Sequence, residues 1–88
     1  MYSKQISIRN RTGLHARPAS DFVGLAGRFS SKIELSRVGE DDKYNGKSIV
    51  MLLTLGLEKG EDAILSAEGA DEREAVEALA EFVANLVE

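Results

Sequence analysis

The stretch E-D-A-I-L-S-A-E-G-A-D-E-R-E-A-V-E-A-L-A-E-F-V-A-N-L, residues 61–86, changes its hydrophobic period partway along. Over 61–68, Ala63, Leu65 and Ala67 fall on every second position, the period of a strand with one buried face. Beyond 71, Ala75, Leu79, Phe82, Val83 and Leu86 recur at helical spacing and form a single apolar stripe. Asp71 is expected as the N-cap, with Glu74 three residues on completing a capping box. A strand that runs directly into an amphipathic helix is the building unit of a sheet covered by helices.

The rest of the chain repeats these signals. Residues 2–8 alternate, with Ile6 and Ile8 on one face and Gln5 and Ser7 on the other, and residues 10–13 then turn the chain. From 16 to about 28, Ala19, Phe22, Val23, Ala26 and Phe29 predict a helix, which Gly24 and Gly27 weaken by roughly 1 kcal/mol each relative to alanine. Residues 32–38 alternate again through Ile33 and Leu35. The polar tract Gly39-Glu40-Asp41-Asp42 then reads as a hairpin loop before a short strand at 43–45. Ser48 is placed to cap a short helix over about 49–53, with Gly56 or Gly60 ending the segment. The order β-α-β-β-α-β-α predicts an α+β open-faced β-sandwich: a four-stranded antiparallel sheet with three helices on one face.

Eighty-eight residues make one small domain, 1–88. The absence of cysteine excludes a disulfide framework and thiolate metal sites, and a single histidine leaves little for zinc. No metal or cofactor is expected. Fifteen acidic against eleven basic residues give a net charge of −4, which argues against a nucleic-acid binder. The start M-Y-S-K-Q-I-S-I lacks the apolar core of a signal peptide, and no apolar run approaches the roughly 20 residues of a membrane span. A cytoplasmic protein without membrane insertion is expected.

The decapeptide N-R-T-G-L-H-A-R-P-A, residues 10–19, holds the single histidine, His15, between a glycine turn and a predicted helix start. A lone histidine is ordinarily just a partly exposed loop residue. Here it coincides with a helix N-terminus, whose unpaired N–H groups and partial positive charge favour anions, phosphate above all. Arg17 adds a planar guanidinium able to fork onto phosphate oxygens, and Pro18 occupies the first turn, where its missing N–H costs nothing. A histidine, a guanidinium and a few backbone donors suffice for a phosphoryl carrier. They do not suffice for a kinase, and no Walker loop occurs. Ser48 is adequately explained as a helix cap. The run Ile49, Val50, Met51, Leu52, Leu53 is too apolar for one buried helix face, so part of it is expected to form an exposed patch.

The chain resembles the HPr family, the histidine-containing phosphocarriers of the bacterial phosphoenolpyruvate-dependent sugar phosphotransferase system. The resemblance spans essentially the whole chain. It rests on T-G-L-H-A-R-P-A at 12–19, on N-G-K-S-I at 45–49 with T-L-G at 54–56, and on S-A-E-G-A-D-E at 66–72. It implies that His15 accepts phosphate on Nδ1 from phosphorylated enzyme I and passes it to the IIA domain of a sugar-specific enzyme II, while Arg17 steadies it. The protein would then be a monomeric carrier and not an independent catalyst.

The resemblance also implies a partner surface of Ala16, Arg17, Lys47, Ile49, Val50 and Leu53. It makes Ser48, preceded by Lys47, a phosphorylation site for an HPr kinase/phosphorylase, with a transcriptional regulator as a further partner. Phosphate there adds about −2 charge beside an apolar surface and opposes docking. Where some relatives carry lysines on the first helix this chain has Gly24 and Gly27, which leaves Arg28 and Lys47 as the basic residues facing enzyme I. Two other readings are a regulatory protein acting through phosphorylated Ser48 and a nitrogen-branch carrier that signals without transporting sugar. Regulatory paralogues typically lack the histidine, so His15 favours the carrier.

Overall fold

A computed structural model describes residues 1–87. Its elements are β1 (Tyr2–Ser7), α1 (Ala16–Ala26), β2 (Lys32–Arg37), β3 (Tyr44–Asn45), α2 (Ile49–Leu55), β4 (Asp62–Glu68) and α3 (Glu72–Ala84), in the predicted order. The four strands form one sheet in the order β1-β4-β2-β3, and every neighbouring pair is antiparallel. β4 is therefore central. Ile6 lies opposite Ala63, Leu65 pairs with Leu35, and Ala67 is flanked by Tyr2 and Ile33.

The alternation read from 61–68 sets which face of this strand is buried. Ala63, Leu65 and Ala67 are all buried on the helix-bearing face, together with Ile6, Ile33 and Leu35. The two alanines keep that face low at the centre of the sheet, which gives the larger side chains of the helices room to pack. α1 contributes Phe22 and Ala26, and α3 contributes Ala75, Val76, Leu79 and Val83. Phe22 meets Phe82 edge-on with ring centroids 6.3 Å apart, a geometry that joins α1 to α3. The architecture is an α+β open-faced sandwich.

Three local expectations are corrected. α1 stops at Ala26, before the expected 28, because Gly27 caps it and returns its N–H to Val23 O at 2.9 Å. α2 extends to Leu55 and ends at Gly56, whose left-handed backbone (φ 61°, ψ 48°) closes a bond from its N–H to Leu52 O at 3.0 Å, so Gly60 is not the terminator.

The third correction is the capping box. Asp71 occupies the N-cap position of α3 but makes no side-chain cap bond. Its carboxylate instead accepts from the backbone N–H groups of Ser30 and Ser31, each at 3.0 Å, and from the Ser31 hydroxyl. These donors hold its carboxyl below the ordinary range, the Ser31 hydroxyl contributing most and the Ser30 N–H next. Glu72 takes the neighbouring position in place of Glu74, accepting from Gly69 N–H at 3.1 Å. A long-range tie between the α1–β2 connection and the start of α3 has displaced a local cap. Asp71→Ala is accordingly expected to lower the urea midpoint of unfolding clearly more than Glu74→Ala; equal effects would restore the local cap.

Candidate functional site

The histidine loop is built from its backbone outward. Asn10 closes the turn twice: its Nδ2 donates to Gly13 O at 2.8 Å and its carbonyl accepts from Gly13 N–H at 3.2 Å. Gly13 has φ +70°, and a Cβ there would lie 2.4 Å from the carbonyl oxygen of Leu57. Only glycine allows this approach. It lets Leu14 N–H donate to the same Leu57 O at 2.9 Å, with the Leu14 and Leu57 side chains both buried.

His15 is the N-cap residue of α1. Its backbone is extended, its side chain does not bond back to the helix, and its carbonyl accepts from Ala19 N–H at 3.4 Å. The imidazole is thus not consumed by capping. The ring is half-buried and rests against the end of α2: its Cε1 lies 3.7 Å from where a Cβ on Gly56 would be. Ala16, immediately after it, has φ +50°, a left-handed conformation rare for a residue with a side chain and costing on the order of 1 kcal/mol or more. The remainder of the loop holds this residue in place. Arg17, at the second helical position, is exposed and forms no ion pair among the described residues. Pro18 is buried in the first turn, as its missing N–H permits.

α2 carries the remaining expected residues. Ser48 caps it, its Oγ accepting from Met51 N–H at 3.2 Å. Lys47 is fastened on both sides, its backbone N–H to Asn45 Oδ1 at 2.9 Å and its Nζ to Phe29 O at 2.6 Å. Lys47 therefore joins the start of α2 to the end of α1. Leu52 and Leu55 face the core, whereas Ile49, Val50 and Leu53 are 38%, 68% and 47% exposed. The seven-residue helix spans about 10 Å. Ser48 stands at one end, the His15 ring rests at the other, and the apolar patch lies between them.

Sequence reading missed one group. Arg37, at the end of β2, donates from Nε to Glu61 Oε2 at 2.7 Å and from Nη2 to Glu61 Oε1 at 3.1 Å and Gly56 O at 3.2 Å. Glu61 Oε1 also accepts Glu58 N–H at 2.8 Å. The Arg37 bonds and, after them, the Glu58 N–H hold the Glu61 carboxyl down at about 2 from an ordinary 4.5, against partial desolvation. No local spacing marks a pair 24 residues apart.

Surface clefts lie between β1 and α3, at the start of α3, and beside Phe82, and none of these includes His15. The histidine itself is half-buried. Among the described residues no cluster of three or more metal-ligating side chains occurs, and no helix is long and apolar enough to cross a membrane.

Comparison with known proteins places this geometry. Residues 2–85 match the family described as the PTS HPr component phosphorylation site. The HPr-like protein Crh of Halalkalibacterium halodurans is 45% identical over 83 residues, 94% of this chain and 96% of its own length. The phosphocarrier protein HPr of Buchnera aphidicola subsp. Schizaphis graminum is 44% identical over 86 residues, covering 98% and 99%. Among solved structures, HPr from Thermoanaerobacter tengcongensis superposes with a TM-score of 0.89 at 45% identity, covering 96% of this chain and 92% of that one. Crh of Bacillus subtilis, described as a dimer with a swapped domain, gives 0.74 at 42%, covering 100% and 99%.

Two measurements test the loop. Gly13→Ala is expected to destabilise by about 2–4 kcal/mol, from the left-handed backbone together with the clash on Leu57. Gly24→Ala, with nothing within 4 Å of the added carbon, is expected to stabilise α1 by about 0.5–1 kcal/mol. Urea unfolding reads both signs. The second measurement concerns pH. A carboxyl whose folded value lies below its unfolded one stabilises above the unfolded value, and that contribution is lost as pH falls through the folded one. The Glu61 contribution is therefore complete above about 4.5 and disappears as pH falls through about 2. Glu61→Gln is expected to flatten the fall of unfolding free energy across that window, and an unchanged slope would remove the pair from acid stability.

Proposed function

The chain belongs to the HPr family of phosphotransferase-system phosphocarriers, and from that premise we propose that it relays a phosphoryl group from phosphorylated enzyme I to the IIA domain of a sugar-specific enzyme II through His15. The observation that carries this reading is the placement of an imidazole left unbonded by its own helix, beside Arg17 and at the end of the exposed patch formed by Ile49, Val50 and Leu53. A nitrogen lone pair of the unprotonated ring, on Nδ1, attacks phosphorus as the donor's phosphorus–nitrogen bond breaks. The donor nitrogen recovers the electron pair. The second transfer is the same exchange with His15 as leaving group.

Phosphoryl transfer needs in-line placement and charge neutralisation far more than covalent assistance. The helix start and Arg17 supply charge stabilisation on this side, and the apolar patch with Ala16, Arg17 and Lys47 supplies docking. Because no nucleotide loop is present, the protein acts as a substrate of its partners in turn. A monomer in the cytoplasm fits that role. The swapped dimer of Bacillus subtilis Crh makes oligomeric state a direct check, and light scattering is expected to give the single-chain mass of 9.6 kDa.

Ser48 is proposed as the regulatory site. Its hydroxyl already meets the Met51 N–H, so phosphate there would find helix-terminal donors while setting about two negative charges beside Ile49 and Val50. Similarity to Crh of Bacillus subtilis, described as a catabolite repression HPr, favours a second, regulatory role, for which we propose phosphorylated Ser48 beside the patch and a transcriptional regulator as partner. Incubation with enzyme I, magnesium and labelled phosphoenolpyruvate is expected to give acid-labile label on the wild type and none on His15→Ala. Label that persists in His15→Ala, or never appears on the wild type, overturns the relay.

A further inference from the structure

Arg37 ends β2 and Glu61 stands just before β4, and their side chains meet over the connection that leaves α2. The fork of two bonds from Arg37 to Glu61, a third to Gly56 O and the bond from Glu58 N–H to Glu61 join the end of β2, the α2 cap and the turn before β4. Both side chains are partly withdrawn from solvent, 26% and 33% exposed. Gly56 lies beside the His15 ring, whose Cε1 is 3.7 Å from where a Cβ on Gly56 would stand. Its carbonyl belongs to the C-terminal end of α2, where helix carbonyls lack intrahelical partners and carry partial negative charge. Left unpaired, that carbonyl would present negative potential beside a site meant for an anionic phosphoryl group.

We infer that Arg37, held by Glu61, is a positioning residue for His15: by fixing the carbonyl and left-handed backbone of Gly56 it sets the seat of the imidazole and offsets the negative end of α2 beside it. The effect on phosphoryl transfer rests on the function proposed above, whereas the seating of the ring does not. Arginine suits the task because its planar fork engages both carboxylate oxygens of Glu61 and keeps a donor for Gly56 O. The contrast is Lys4–Glu77, a pair 48% and 45% exposed that links β1 to α3.

The test compares Arg37→Met, Arg37→Lys and Glu61→Gln with Lys4→Met as control. Two readouts are used: the Cε1–Hε1 resonance of His15 and its pH titration in the unphosphorylated protein, and the initial rate of labelling by phosphorylated enzyme I. Arg37→Met is expected to move the His15 resonance and slow labelling about tenfold, a loss in keeping with a misplaced reacting group. Arg37→Lys should recover part of the rate, Glu61→Gln should shift the resonance in the same direction by less, and Lys4→Met should leave the ring unmoved. The inference fails if Arg37→Met leaves resonance and rate at wild-type values, or alters them no more than Lys4→Met does. Should Arg37→Met not fold, Glu61→Gln and Arg37→Lys decide on the same criteria. Should the wild type take no label, the relay fails and the resonance alone decides the positioning.

Discussion

The carbonyl oxygen of Leu57 is where the histidine loop is fixed to the rest of the molecule. It accepts the Leu14 N–H and lies so close to Gly13 that no side chain fits between them. Leu57 is itself buried, and the chain on either side of it is held by the αL cap at Gly56 and by the turn whose Gly60 N–H donates to Ile8 O at 2.7 Å. A loop at the end of an edge strand is thereby fastened to the connection between α2 and the central strand. The left-handed Ala16 can persist only because residues on both sides of it are fixed in this way. Leu14 is buried before it, and Pro18 and Ala19 are buried after it.

The second consequence is that α2 serves two surfaces. A seven-residue helix has little stability of its own, so it must be held at both ends and along one face. Ser48 and Gly56 hold the ends, Leu52 and Leu55 hold the inner face, and Lys47 ties its start to Phe29 O. With that much support, the outer positions are free of structural duty. Ile49, Val50 and Leu53 can remain exposed and apolar, as the docking surface proposed above requires.

How much of this could be read beforehand follows from range along the chain. The period change over 61–86 was legible because alternation and helical spacing are local, and it marked a strand, the last helix and the strand face that binds the helices, but not the central place of that strand. The placement of His15 and Ser48 at helix starts was legible for the same reason, since each is defined by neighbours within a few residues. Asp71 illustrates the limit. Its spacing to Glu74 was a sound local signal, yet Ser30 and Ser31, about 40 residues away, offered its carboxylate three donors and prevailed. The choice between Gly56 and Gly60 turned on which of them closes the bond to Leu52 O, and two glycines four residues apart, both with positive φ, do not reveal that locally. The Arg37–Glu61–Gly56 contact had no local signature, because strand order brings its members together.

A carrier must satisfy two demands that oppose one another. In the relay proposed above its nucleophile has to be accessible to two different partners, and an exposed loop residue would ordinarily sample many orientations. Enclosing the histidine in a pocket would fix it but would exclude the partners. This chain resolves the conflict by fixing the backbone that carries the ring while leaving the ring half-buried. Gly13 and Leu14 fix the backbone before His15 against Leu57, and the ring lies beside Gly56. The entropy of ordering the histidine is thus met during folding and not at each docking event, so the binding energy of a partner remains available for aligning the phosphoryl group.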